Sequence, residues 1–269
     1  MTGESTPQVF FDRWTDAYGP GGRRPSSDAC ACVERRGAGR PRPTRFHPER
    51  QDTTAPGWIR LLELVEEAAA DRREVFKPLA DLTAQERRQV VTLPPSIAGL
   101  TSVKHLVLYG SNLVRVPPEI GAMRSLEEFS PYTSYRLHWF PYELTRCPGL
   151  RRSTVSTRAL YGSYKTRSPF PPLAAVATGA VDLDDLDPGV RGAASIRTCS
   201  VCDRRVGAAE LRQVWISLRT SGADVLPLLV NACSTSCVDA LPEPAEGYVR
   251  APHTGGPGVD QPPAGRRPH

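Results

Sequence analysis

Four cysteines carry the most legible chemistry in this chain. Two residues separate Cys199 from Cys202, three separate Cys233 from Cys237, and residues 203–232 lie between the pairs. Thiolates are soft anionic ligands, and two short-spaced pairs joined by a hairpin bring four of them into a tetrahedron around one Zn²⁺. The intervening sequence predicts that hairpin. Val214, Ile216 and Leu218 alternate along one strand, Thr220-Ser221-Gly222-Ala223-Asp224 turns the chain, and Val225 to Asn231 returns it. The second pair opens a predicted short helix, Ser234 to Leu241, whose N-terminus favours thiolate over thiol at Cys233 and Cys237. The same residues also admit a redox dithiol or simple buried thiols. Four protein ligands leave no open position for a substrate, so the zinc expected here is structural. So short a segment has too little core to fold alone, and metal binding supplies the missing stability. Cys147 falls on an apolar position and reads as a small buried hydrophobe, while Cys30 and Cys32 form a CxC pair in a stretch without a core.

The order CxxC, hairpin, CxxxC, helix over residues 197–249 resembles treble-clef-type zinc fingers, which implies a closed structural site on Cys199, Cys202, Cys233 and Cys237. Trp215 with Arg204, Arg205, Arg212 and Arg219 offers an alternative use, a basic surface for nucleic acid, diluted by Asp203, Glu210 and Asp224.

Residues 93–173 repeat themselves. Leu93-Pro94-Pro95-Ser96-Ile97 returns 23 residues later as Val116-Pro117-Pro118-Glu119-Ile120, and 24 residues after that as Phe140-Pro141-Tyr142-Glu143-Leu144. Leu100, Met123 and Cys147 keep the register, as do Val103, Leu126 and Leu150. Such periods are the signature of stacked repeats. The run Val103-x-x-Leu106-x-Leu108-x-x-Ser111-x-Leu113-x-x-Val116-Pro117 resembles the leucine-rich repeat family, with Ser111 in its polar position and the LPxxI ending of bacterial versions. Ser134 holds the polar place in the second repeat, and the third is degenerate, with Ser153 standing where Leu106 stood. The resemblance implies an α/β-type short solenoid whose concave strand face binds a protein or peptide. By strand alternation that face carries His105, Val107 and Tyr109, then Glu128, Ser130 and Tyr132, then Arg152, Thr154 and Ser156. Tyr135, Trp139 and Tyr142 continue its aromatic edge, although Trp139 and Tyr142 read rather as packing between turns.

The flanking stretches serve these two regions. Ile59, Leu62, Val65 and Ala69 mark one face of a helix, and Thr83 with Glu86 forms a capping box ahead of a second helix, Ala84 to Gln89. Residues 56–92 therefore read as a helical cap. Residues 1–55 and 250–269 are rich in Pro, Gly and Arg and poor in aliphatic side chains, which predicts disordered termini, although Val9, Phe10, Phe11 and Trp14 are apolar enough to dock. Residues 174–196, with Asp182-Leu183-Asp184-Asp185-Leu186-Asp187, read as an acidic linker and lack the closing Glu of a calcium loop. The expected architecture is a short solenoid with an N-terminal helical cap plus a small α+β zinc-finger module.

Of 269 residues, 39% are hydrophobic, and net charge is +5 with only three Lys among 34 basic residues, an Arg bias that speaks more for genome composition than for a polyanionic partner. No run of about 20 apolar residues predicts a membrane span, and residues 1–14 lack the basic start and apolar core of a secretory signal. A cytoplasmic protein is expected. HExxH, G-x-S-x-G and phosphate-cradling glycine loops are missing from the sequence, and a His105–Glu128 couple on an open face has nothing to exclude water. The expectation is non-catalytic recognition of a protein or peptide with structural zinc; the alternative is a nucleic-acid-associated factor using the zinc finger and Arg-rich arm.

Overall fold

The computed structural model describes residues 44–173, 198–207, 210–221 and 224–265. Cys30, Cys32, the apolar cluster at 9–14 and the acidic linker lie outside them. Helix α1 (Pro56–Ala70) places Pro in its first turn, where the missing N–H has no partner to lose, and buries Gly57, Trp58, Leu61, Leu64, Val65 and Ala68. Its core face is rotated from the expected one, since Ile59 is 48% exposed and Ala69 also faces solvent. Both stripes have helical spacing, and the one with Trp58 and two leucines removes more apolar surface from water. Strand β1 (Val75–Phe76) follows, then helix α2 (Ala84–Gln89) over the predicted residues. Its capping box is closed: Glu86 N–H donates to the Thr83 hydroxyl, and the Glu86 carboxylate accepts from Thr83 N–H at 2.7 Å.

The repeated segments then lay down β2 (His105–Val107) and β3 (Glu128–Ser130), followed after β4 (Phe140–Pro141) by β5 (Arg152–Ser153). Four of these strands form a parallel sheet in the order β1-β2-β3-β5. Val75, His105, Glu128 and Arg152 stand in one row across it, and Phe76, Leu106, Phe129 and Ser153 in the next. Opposite the sheet, 3₁₀ turns at Pro95–Gly99, Pro118–Ala122 and Tyr142–Arg146 stack on one another and bury Ile97, Ile120 and Leu144. Ser111 and Ser134 meet at 2.6 Å, and the Ser134 hydroxyl donates to the Leu108 carbonyl, so the polar positions knit adjacent turns.

The expected solenoid with an appended finger is corrected by the strand pairing. Strand β4, inside the repeated stretch, leaves the parallel row and pairs with β7 (Asp224–Ala232), which runs antiparallel to β6 (Arg212–Ser221). This second, mixed sheet has the order β4-β7-β6, and the molecule is a mixed α/β fold with only three α-helices among the described residues, the last being α3 (Thr235–Asp239). One apolar core runs from Leu61 and Leu106 through Phe140 to Ile216, Cys199 and Cys237. The cause is visible in β6 and β7, which are buried on both faces: Val214, Ile216 and Leu218 enter this core while Trp215 enters a second cluster with Trp139, Tyr161, Phe170, Leu173 and Leu229. A strand buried on both sides needs a covering layer, and the repeated segment provides it.

Two stretches expected to be structureless also pack. Thr44 and His47 are buried, Phe46 lies against the aromatic cluster, and residues 250–265 follow the sheet, where Trp215 and His253 form an antiparallel bridge. Few apolar residues are needed for this, because aromatic side chains supply a large area each. Among the described residues no helix is long and apolar enough to cross a membrane.

Candidate metal centre

The first cysteine pair sits in a tight knuckle. Thr198 bridges Arg205, Cys199 N–H donates to the Arg204 carbonyl at 2.7 Å, and Asp203 N–H returns to the Cys199 carbonyl at 3.1 Å. Asp203 takes the left-handed conformation that the turn demands, with φ 61°, a conformation Asp tolerates better than most residues. The second pair straddles the start of α3, which is shorter than the predicted Ser234 to Leu241. The β6–β7 hairpin returns the chain so that both pairs meet at its open end.

There the four sulfurs lie within 4.8 Å of one another. Cys202 Sγ and Cys237 Sγ are each 3.6 Å from Cys233 Sγ. A tetrahedron with metal–sulfur legs of about 2.3 Å has edges of about 3.8 Å, whereas a disulfide requires about 2.05 Å. The four clustered thiols are therefore spaced as ligands for one ion, with Cys199 and Cys237 buried and Cys202 and Cys233 toward solvent. Cys147, also free, is buried in the core as expected, and its thiol donates to the Ile120 carbonyl at 3.4 Å.

Electrostatics divide the cluster. The Arg204 side chain, donating from Nε to Cys202 Sγ at 3.4 Å, and the Arg204 backbone pull the Cys202 thiol down to about 6. Burial, followed by hydrogen bonds to the neighbouring sulfurs, pushes Cys233 up to about 12. The expectation that the helix start would ionise Cys233 is thus reversed. A helix of five residues has little dipole, and the Ser234 hydroxyl already accepts the Cys237 N–H at 3.2 Å. A cation bound by the four sulfurs would favour the thiolate form.

Residues that the sequence did not single out seat this knuckle. Ser200 donates its hydroxyl to Glu143 Oε1 at 2.6 Å, receives the Asn231 N–H at 3.0 Å and exchanges a backbone bond with Asn231. Arg146 donates to the Ser200 carbonyl at 2.8 Å and pairs with Asp203 at 2.6 Å. Burial holds the Glu143 carboxyl above the usual carboxylate range, and its second oxygen has no partner among the described residues. The one signal for this contact was a charged residue at the same place in successive apolar turns, Glu119 and then Glu143.

The predicted binding face is only partly a face. Tyr132 is exposed at 42% and meets Tyr109 edge-on at 5.5 Å, with Arg152 and Thr154 also exposed and His105, Val107 and Glu128 half-buried. His105 Nδ1 stands 3.9 Å from Glu128 Oε2. Ser130 and Ser156 are buried, so they present nothing to a partner. Trp139 is buried as packing, and Trp215, placed by the sequence on a nucleic-acid surface, is fully buried with its indole N–H donating to the Pro171 carbonyl at 3.0 Å. Compared with protein-family models and with curated proteins, the chain matches none.

Proposed function

We propose that this protein is a non-catalytic, zinc-dependent interaction protein. Cys199, Cys202, Cys233 and Cys237 hold one structural Zn²⁺, and the outer face of the parallel sheet takes a protein or peptide. The convergence of the four sulfurs within 4.8 Å carries the metal half. An all-thiolate set suits zinc among the abundant divalent ions, and four protein ligands make a closed, non-catalytic site. The recognition half rests on Tyr109, Tyr132 and Val75, an aromatic and aliphatic surface beside the charged Glu128 and Arg152. Tyr side chains provide contact area with few torsions to freeze.

Metal analysis of protein purified without added metal tests the first half. One equivalent of zinc is expected, lost in Cys199→Ser; reversible oxidation of Cys199 and Cys202 in a zinc-free protein overturns it. For the second half, Glu128→Lys should leave folding intact and abolish capture of the partners that the unaltered protein retains. Undiminished capture, or steeply salt-dependent binding to a DNA duplex, replaces the sheet face with another surface.

A further inference from the structure

The four sulfurs are not equally open to a reagent. Cys199 is fully buried and Cys237 is 6% exposed, and both belong to the continuous apolar core. Cys199 Sγ is also engaged from inside, since it accepts the Val201 N–H at 3.4 Å. Cys202 is exposed, and so are Asp203, Arg204 and Arg205 after it, while Cys233 is half-buried. A site with four protein ligands has no open coordination position. A reagent from solvent therefore meets this one at its outer sulfurs.

The outer pair is also a matched pair. Cys202 comes from the knuckle and Cys233 from the end of the hairpin, 31 residues apart along the chain, and their sulfurs are 3.6 Å apart. The exposed Arg204 donates from Nε to Cys202 Sγ at 3.4 Å, so a guanidinium stands beside the outermost sulfur. Cys233 and Cys237 are equally close at 3.6 Å, but Cys237 is covered by the core.

We propose that Cys202 is a site of oxidation by hydrogen peroxide and that Cys233 resolves it, closing a Cys202–Cys233 disulfide that releases the metal ion. The proposal rests on the metal reading above and adds its regulation. In the first step the Cys202 sulfur attacks one peroxide oxygen, the O–O bond breaks, and the departing hydroxide takes a proton to become water, leaving a sulfenic acid. The Arg204 guanidinium supplies a fixed positive charge for that departing hydroxide. In the second step the Cys233 thiolate attacks the Cys202 sulfur, the S–S bond forms and the S–O bond breaks, and a second hydroxide leaves as water with another proton. Two thiolates, one peroxide and two protons thus give one disulfide and two waters, the sulfurs being oxidised and the peroxide reduced. Cys199 and Cys237 alone remain as ligands, half of the set that holds the ion. The new bond joins the knuckle to the start of α3, as the ion did, and closes the chain between residues 202 and 233, which offsets part of the lost stability. A thiol reductant restores both sulfurs.

Peroxide titration of the full chain tests this. Protein purified without added metal is first assayed for zinc, then titrated with hydrogen peroxide while a chromogenic chelator follows the zinc released. Free thiols are alkylated and the unreduced peptides mapped by mass spectrometry, and a parallel sample carries dimedone, which traps sulfenic acid. One zinc should be released per disulfide formed, with the disulfide mapped to Cys202–Cys233, dimedone on Cys202, and zinc binding recovered after thiol reduction. Dimedone on Cys199, Cys233 or Cys237, a Cys199–Cys202 or Cys233–Cys237 disulfide, or zinc retained while other thiols oxidise overturns this proposal alone. Protein that holds no zinc before peroxide is added overturns the metal reading, and the proposal with it.

Discussion

Individual residues show how little room the stacked turns leave. A Cβ on Gly121 would lie 2.6 Å from the Glu143 backbone oxygen of the next turn, which cannot swing away as a flexible side chain would. Gly121→Ala should therefore destabilise by about 1–3 kcal/mol, whereas Gly99→Ala, with nothing within 4 Å, should be neutral or stabilise by up to about 1 kcal/mol through the unfolded chain. Urea unfolding of the two variants separates these outcomes. Glu143 itself makes a pH prediction. Its folded-state pKa is raised by burial, so its contribution is fully present below the unfolded value of 4.5 and declines as pH rises through the folded one. Glu143→Gln keeps an oxygen for the Ser200 hydroxyl and carries no charge. Its stability relative to the unaltered protein should rise with pH, a trend that pH-dependent denaturation measures and that a flat difference would contradict.

At the scale of elements, local signals were the ones the sequence carried faithfully. The capping box at Thr83 and Glu86 fixed α2 to the residue because both hydrogen bonds close within one turn. Thr83→Ala should cost about 1 kcal/mol, seen as a lower denaturation midpoint. The offsets of 23 and 24 residues likewise foretold that His105, Glu128 and Arg152 share a row, since a parallel register follows from equal chain lengths between strands. The four-cysteine set was legible for the same reason: each pair is local, and one hairpin joins them. What failed was nonlocal. Nothing in the two residues Phe140 and Pro141 announces that they pair with Leu228 and Leu229 some 88 residues on (228 − 140 = 88). Alternation in Val214, Ile216 and Leu218 suggested a strand with one wet face, yet its other face was claimed by Trp139, Tyr161 and Phe170. Two competing stripes on α1 could be ranked only once the partner surface was known.

For the whole molecule, the shared core makes the cysteine cluster everyone's concern. Cys199 and Cys237 pack in the same apolar cluster as Leu61 of α1 and Leu106 of the parallel sheet. Ser200, Glu143 and Arg146 tie the knuckle to the last stacked turn, and β7 lies against β4. An ion that binds only the folded state stabilises it by about 4 kcal/mol when free metal is about a thousandfold above its dissociation constant. In an appended finger that free energy would stay local. Here β7 is the central strand of a sheet whose edge, β4, comes from the repeated segment, so freeing the cysteines removes the cover from Phe140 and Leu144 as well. Chelation should therefore lower the midpoint of a single cooperative transition, with amide exchange in α1, far along the chain from the cysteines, accelerating in step with exchange in β7. Two separate transitions, with α1 unaffected by chelator, would mean that the core is continuous in space but not in cooperativity.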